Sequence, residues 1–490
     1  MRIFLCRIIP FYHFHELNLY VFRKGFQMGK IGDSLGELRL NISTIILILF
    51  FCTFSFLALP LSEAFRKDYL IGLQFLMIGF ISISALFIEN QKHSFSASMS
   101  LYFFCYLFFY CAALFQFSYN TFTWFLSPTI EEIIAANNLI LLGIVSFIFG
   151  NKFFIKVKFF NTKNEKENIK IEIRKPIVYI FLIILTIYFL YLLETMPLAG
   201  FFTRSIFQSS GPDDQSLGLI FTSIRNGMAL ISSLMLIEIY KQRKNLKNLS
   251  LMTYALLLSL FIIPPTGVAR FLSGAFYGSI ILYLFPSFRC GRKFLLIMFL
   301  FILIVFPLLN NFRYAGNDPL NLLDIVTGLS NNFQAADFDA YTMLIYTVQY
   351  VSTLGYSLGN QLIGTIFFFI PRTIWPSKPV GSGSMIVENL FIPINPNVSC
   401  PFFAEYYLNF GVLGVVIFSI LLGCLLNTID QLYWNSIKEV GFLKFFYPFL
   451  SLIIIFCCRG DMMSTRSFLI GTFISSYISY KMIVKKAPIK

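Results

Sequence analysis

Three arginines stand beside turn-forming residues in an otherwise apolar chain: Arg270 in PPTGVARF, Arg313 in NNFRYAG and Arg372 in PRTIWPSKP, with Lys378 closing the last motif. A guanidinium offers two parallel charged hydrogen bonds to phosphate oxygens, so a few of them can clamp a pyrophosphate without metal. The plainer account is that each one snorkels to the membrane surface on an apolar stem. Their number, and their place on the side where positive charge is disfavoured, favour an anion site. Arg225 lies within an apolar run, where an unpaired cation costs about 2.5–3.5 kcal/mol. It therefore either faces the same cavity or pairs with Glu194 or Asp461. Arg204 in FFTRSIF is a weaker candidate.

A base is needed if such a site transfers a group to a hydroxyl. Glu405 opens a late apolar run in AEYYLNFG. A carboxylate at an outer boundary among aromatics is partly desolvated, which suits a proton acceptor. The alternative is a simple interfacial or helix N-terminal charge. Glu388 ranks second. Asp337 and Asp339 form a DxD, a spacing that holds divalent metals in many nucleotide-sugar enzymes. Here it falls in an expected helix, where residues two apart point away from each other, so no metal and no cofactor is expected. His13, His15 and His93 fall on the expected cytoplasmic side, as ordinary interfacial histidines rather than ligands. Nine cysteines sit mostly inside apolar runs as packers, without a CxxC pair. There is no P-loop, dinucleotide-binding glycine pattern or GxSxG.

The elements that must position these groups are membrane helices. Of 490 residues, 57% are hydrophobic, 13% are charged and 61 are Phe. Repeated apolar runs of about 20 residues predict an all-α polytopic membrane protein. Twelve runs can be placed, the first near 44–62, the ninth near 294–309 and the last near 466–482. The net charge of +14 belongs to membrane-surface loops; without a soluble basic face it does not indicate nucleic acid. Loops 154–175, 240–248 and 287–293 are rich in Lys and Arg. With those inside, alternation assigns the others, and Lys and Arg fall about three to one on the inner side. Both termini are then cytoplasmic and residues 310–402 lie outside. The basic segment 1–43 has no signal-peptide cleavage pattern, and Met28 is an alternative start.

The chain therefore divides into a cytoplasmic segment 1–43, helices over 44–309, a large outer loop 310–402 and helices over 403–490. The loop is aromatic-rich and poor in Lys and Glu, unlike a disordered linker. Apolar residues at 333, 336, 340, 344 and 348 predict a helix. Residues 361–371 are too short to span and too apolar to be solvated, so they read as a re-entrant or interfacial helix ended by Pro371. Residues 376–384 read as turns. Short helices around a cavity are the expected result. The absence of an internal repeat argues against inverted-repeat transporter designs.

FIIPPTGVARF, NNFRYAGNDP, FIPRTIWPSKPVGSG and AEYYLNFGVLG, with the twelve-span layout and one large late outer loop, resemble the O-antigen polymerases (Wzy-type repeat-unit polymerases). Likeness at the level of motifs covers residues 260–415. The resemblance implies a metal-independent, inverting membrane glycosyltransferase with a GT-C-like arrangement. It would sit in a bacterial inner membrane and act at the periplasmic face on undecaprenyl-pyrophosphate-linked oligosaccharides as donor and acceptor. A chain-length regulator would be a possible partner. It implies Arg270, Arg313 and Arg372 on the donor pyrophosphate, with Lys378 assisting and Arg225 in the same cavity, and Glu405 as base. The earlier outer loop 196–216 is short for this family, which puts Arg204 in doubt. A ligase to lipid A–core is one alternative, although a histidine would be expected in its outer loop. A lipid-linked oligosaccharide flippase or other transporter is the second.

Overall fold

Helices and one two-stranded ribbon make up the computed structural model, which describes residues 57–153, 169–201, 203, 207, 215–289, 291–305, 333–394, 398–435 and 441–488. These belong to one unit, Ile46–Lys490. Segment 1–43, Arg204 and Arg313 lie outside the described residues, as do most of the first expected span and of the lysine-rich loop 154–175.

Polar caps start several helices where the apolar runs begin. Asp68 accepts from Ile71 N at 2.9 Å to open α1, Tyr69–Lys92. Ser96 accepts from Met99 N at 2.9 Å to open α2, Ala97–Tyr119, whose middle turns are π-helical over Cys105–Ala112. Each cap satisfies a donor that the first helical turn leaves open. There follow α3 (Ile130–Phe153), α4 (Lys175–Thr195), α5 (Gln215–Gln242), α6 (Leu246–Ile262), α7 (Arg270–Leu284) and α8 (Gly291–Leu300, with a π turn through Val305). The described part of the large loop contributes α9 (Ala340–Leu354), α10 (Asn360–Ile366) and α11 (Ser382–Asn389). The chain closes with α12 (Phe402–Asn435), α13 (Phe442–Arg459) and α14 (Ser467–Ile483), the last preceded by a π turn over Met462–Arg466.

Seven of these helices are long and apolar enough to cross a membrane: α1 to α5, α12 and α13. The apolar helices α6 and α7 are shorter. The protein is thus a helical, polytopic, membrane-embedded chain. The small exception to an all-α chain is an antiparallel ribbon, β1 (Ile169–Ile173) with β2 (Val484–Pro488), in register Ile173 to Val484. It ties the segment before α4 to the chain's last turn.

The packing uses close backbone approach, because lipid offers no hydrophobic drive between helices. Helices α3 and α12 cross at Gly150 and Gly423. A methyl at Gly150 would lie 2.1 Å from Ile420 O, and one at Gly423 would lie 2.4 Å from Phe147 O. Farther toward its N-terminus α12 is broken: Phe410 and Gly411 leave helical geometry, with Gly411 at φ 64° and ψ −153°. That combination is open to glycine alone. The break frees the Leu408 carbonyl, and Ser357 N takes it at 2.9 Å from the turn between α9 and α10. The short segment before the break carries Glu405.

The expected helix of 361–371 appears as α10 but stops at Ile366 rather than at Pro371. Beyond the stop, Lys378 Nζ donates to the carbonyls of Phe368 (2.7 Å) and Ile370 (3.0 Å), holding this stretch in its non-helical path. Of the helix expected at 333–348, α9 supplies the part from Ala340 onward, buried continuously through Val348; Phe333 is buried and Ala336 half-buried ahead of it. A 3-10 turn over Ala336–Phe338 precedes α9.

Candidate functional site

A small charged cell of about 130 Å³ is built where α7 begins, α13 ends and the large loop enters α9. Two arginines and three aspartates line it: Arg270, Arg459, Asp337, Asp339 and Asp461. One guanidinium nitrogen of Arg270, Nη2, donates to both carboxylate oxygens of Asp337. Arg459 donates to Asp339 Oδ1 at 2.8 Å and to Ala336 O at 2.7 Å, with its guanidinium 5.7 Å from the Phe271 ring centre. The other oxygen of Asp339 accepts from Trp124 Nε1 (3.1 Å) and Ser399 N (3.3 Å). Asp461 caps the Met462–Arg466 turn through Ser464 N and Oγ.

The two aspartates of the DxD therefore do point apart, each to a different arginine. The 3-10 turn and the helix start at 336–340 produce that divergence. Two donors in the cell are left over. Arg459 Nε and Ser399 Oγ are buried and have no partner among the described residues. Unsatisfied buried donors are uncommon and mark a place where a ligand or water completes the bonding.

Beside the cell lies an apolar cleft of about 820 Å³ between α4 and α5, and the two share Ala269, Phe456 and Ser464 in their walls. Arg225 is the one charged residue among those lining the cleft. Its partners are neutral: Asn226 Oδ1 at 3.0 Å and Tyr188, whose hydroxyl is 3.4 Å away. Neither Glu194 nor Asp461, the two carboxylates considered from the sequence, takes that place.

Arg372 and Lys378 face their own chain. Arg372 donates to the carbonyls of Lys378 (2.6 Å) and Pro379 (3.0 Å). With the Lys378 bonds to residues 368 and 370, this makes a clasp that folds PRTIWPSKP on itself. Neither residue lines the cell or the cleft. Glu388 is exposed at the end of α11.

Glu405 is 0% exposed. One oxygen accepts from Ser382 Oγ (2.7 Å) and the other from Met462 N (2.6 Å). It thus pins the start of α11 and the turn after Asp461 to α12. The Arg466 guanidinium, 5.4 Å from the ring centre of Tyr406, supplies the nearby positive charge. Glu405 forms a wall behind the cell rather than part of its lining.

Of the residues singled out in the sequence, the cell brings in Arg270 and the DxD pair, and the neighbouring cleft brings in Arg225. Arg459 and Trp124 were missed. Arg459 did carry a signal, since it and Arg466 are two cations in a short segment assigned to the outer side, where cations are scarce. Every segment lining the cell had been assigned by alternation to that same side. Comparison with protein-family models, with curated proteins and with solved structures gives no match.

Proposed function

We propose that the chain is a lipid-linked oligosaccharide polymerase, with the charged cell as its transfer site. The observation that carries this reading is the adjacency of cell and cleft: an apolar cleft shares three wall residues with a cell lined by two arginines. A polyprenyl pyrophosphate has that shape and polarity. Its tail would lie in the cleft, passing Arg225, and its pyrophosphate would reach Arg270 and Arg459. The Arg270 guanidinium that holds the Asp337 carboxylate is a group that also binds phosphate oxygens. Arrival of the pyrophosphate exchanges one anion for another and releases the Asp337 carboxylate beside the reacting centre.

The reaction then balances without ATP. The sugar–phosphate bond of the donor breaks, and its electron pair stays with the departing lipid pyrophosphate. A glycosidic bond forms to a hydroxyl of the acceptor unit, whose proton passes to a carboxylate and on to solvent. Asp337 is the carboxylate placed to accept it. Glu405, the candidate from sequence, serves as a positioning residue that holds the Asp461–Met462 turn. A base on the face opposite the leaving group gives inversion. The bacterial inner membrane with both termini cytoplasmic, a periplasmic site and a chain-length regulator as partner belong to the same proposal.

The test is the lipopolysaccharide banding pattern after deletion of the gene in its host, with complementation by Arg270→Ala and Arg459→Ala. Core plus one repeat unit, reproduced by both variants, is the expected result. Bare core with polymer on the lipid carrier would instead mean a ligase. Bare core with units held on the cytoplasmic leaflet would mean a flippase.

A further inference from the structure

Trp124, which does not line the apolar cleft, forms a shared wall between the cell and a third, open pocket of about 490 Å³. Its lining comes from the turn after α2 (Thr121, Phe122, Thr123, Phe125), with Gln334 and Ile394 from the large loop. Three features of this turn are unlike a passive connection. Trp124 and Phe125 both have φ near 58°, a left-handed conformation that bulky side chains avoid, and such outliers persist only where the surroundings hold them. The surroundings do so from behind. Tyr346 donates its hydroxyl to Trp124 O at 2.7 Å, Trp124 Nε1 is bonded to Asp339, and the Phe122 ring stacks on Tyr341. The result is a Phe125 ring that is 81% exposed on a fixed backbone.

The second feature is polar. The hydroxyls of Thr121 and Thr123 are buried and have no partner among the described residues, and Thr123 is only 5% exposed. The third is position: the Trp124 side chain touches both this pocket and, through Asp339, the arginine network. Rigid aromatic faces beside unspent hydroxyls and an amide match the chemistry of a sugar ring, whose C–H face stacks on aromatics while its hydroxyls bond.

We propose that this pocket is the subsite for the glycan of the acceptor unit, with Phe125 and Phe122 as the stacking surface and Thr121, Thr123 and Gln334 as hydrogen-bonding partners. The proposal rests on the reading of the charged cell as the transfer site. The order along the protein is then lipid cleft, charged cell, sugar pocket. Trp124 is a positioning residue between the last two, transmitting occupancy of the sugar pocket to Asp339 and Arg459.

The experiment uses the full chain in detergent and two separate probes. One is the lipid-free oligosaccharide released by mild acid from the host's lipid-linked units, and the other is undecaprenyl pyrophosphate without sugar. Phe125→Ala and Thr123→Val are expected to weaken oligosaccharide binding tenfold or more and to leave lipid pyrophosphate binding within twofold. Phe125→Tyr, which keeps the ring, is expected to restore it. Arg270→Ala is expected to show the reverse pattern. Unchanged oligosaccharide affinity in Phe125→Ala would overturn the subsite and make the ring a membrane-interface anchor. Absence of oligosaccharide binding to the unaltered chain would overturn it as well. Unchanged lipid pyrophosphate affinity in Arg270→Ala would count against the transfer-site reading alone, because the oligosaccharide arm is read independently.

Discussion

Arg459→Ala tests the central ion pair directly. The side chain of Asp339 is 1% exposed and that of Arg459 16%. The substitution removes the 2.8 Å bond to Asp339 and the 2.7 Å bond to Ala336 O. Asp339 then keeps only the Trp124 and Ser399 donors and remains an uncompensated buried anion. Breaking a buried pair by removing one partner costs about 3–5 kcal/mol; the partial exposure of Arg459 puts this case near the lower end. Asp339→Asn keeps an oxygen acceptor and the shape, so its loss is about 1–3 kcal/mol. The double variant Arg459→Ala with Asp339→Asn removes both charges together. It should therefore lose less than the sum of its parts, with a coupling of about 1–3 kcal/mol. The assay is thermal unfolding of the full chain in detergent, followed by the loss of the monodisperse peak in size-exclusion chromatography. Single-variant losses that add to within about 0.5 kcal/mol would refute the pairing, and with it the argument that the DxD divides between two arginines.

Gly411→Ala forces a side chain onto φ 64° and brings a methyl to 3.1 Å from the Tyr356 ring; a loss of about 2–3 kcal/mol is expected in the same melt, and an unchanged melt would mean that the break in α12 is not required. Lys378→Met should loosen the PRTIWPSKP clasp, read as faster proteolysis in that loop, while undecaprenyl pyrophosphate affinity stays within twofold. A tenfold loss of that affinity with normal proteolysis would return Lys378 to the binding site. His93, stacked on Trp434 between α1 and α2, is held below the ordinary imidazole value by burial, which outweighs the pull of Asp430 and is reinforced by Lys92. Its neutral form is the folded form, so its contribution is full above about pH 6.5 and is lost as pH falls. The unaltered chain should therefore lose more stability between pH 7.5 and 5.5 than His93→Phe does, and equal losses would show that His93 carries none of the pH dependence.

Membrane-embedded helical character was legible from composition, because every span needs a long apolar run whatever it packs against. The apolar spacing at 333–348 pointed to the helix α9, although α9 begins only at Ala340 and is buried on all sides through Val348 rather than on one face. The convergence of Arg270 with Asp337, and of Arg459 with Asp339, needed the 3-10 turn at 336–338 and the approach of α13. Arg372 and Lys378 could not be assigned from sequence, since the same residue types serve a phosphate or a run of carbonyl oxygens equally well.

The sequence by itself determined the apolar surroundings of the protein and a short list of charges worth suspecting. Those properties are sums over local composition and spacing. Tertiary structure alone decided which charges meet. Arg459 and Asp339 are 120 residues apart and Trp124 and Asp339 are 215 apart; no local pattern encodes such a contact. It arises because the start of α7, the end of α13 and the entry to α9 enclose a small polar space, and the groups that border it must satisfy one another or a ligand.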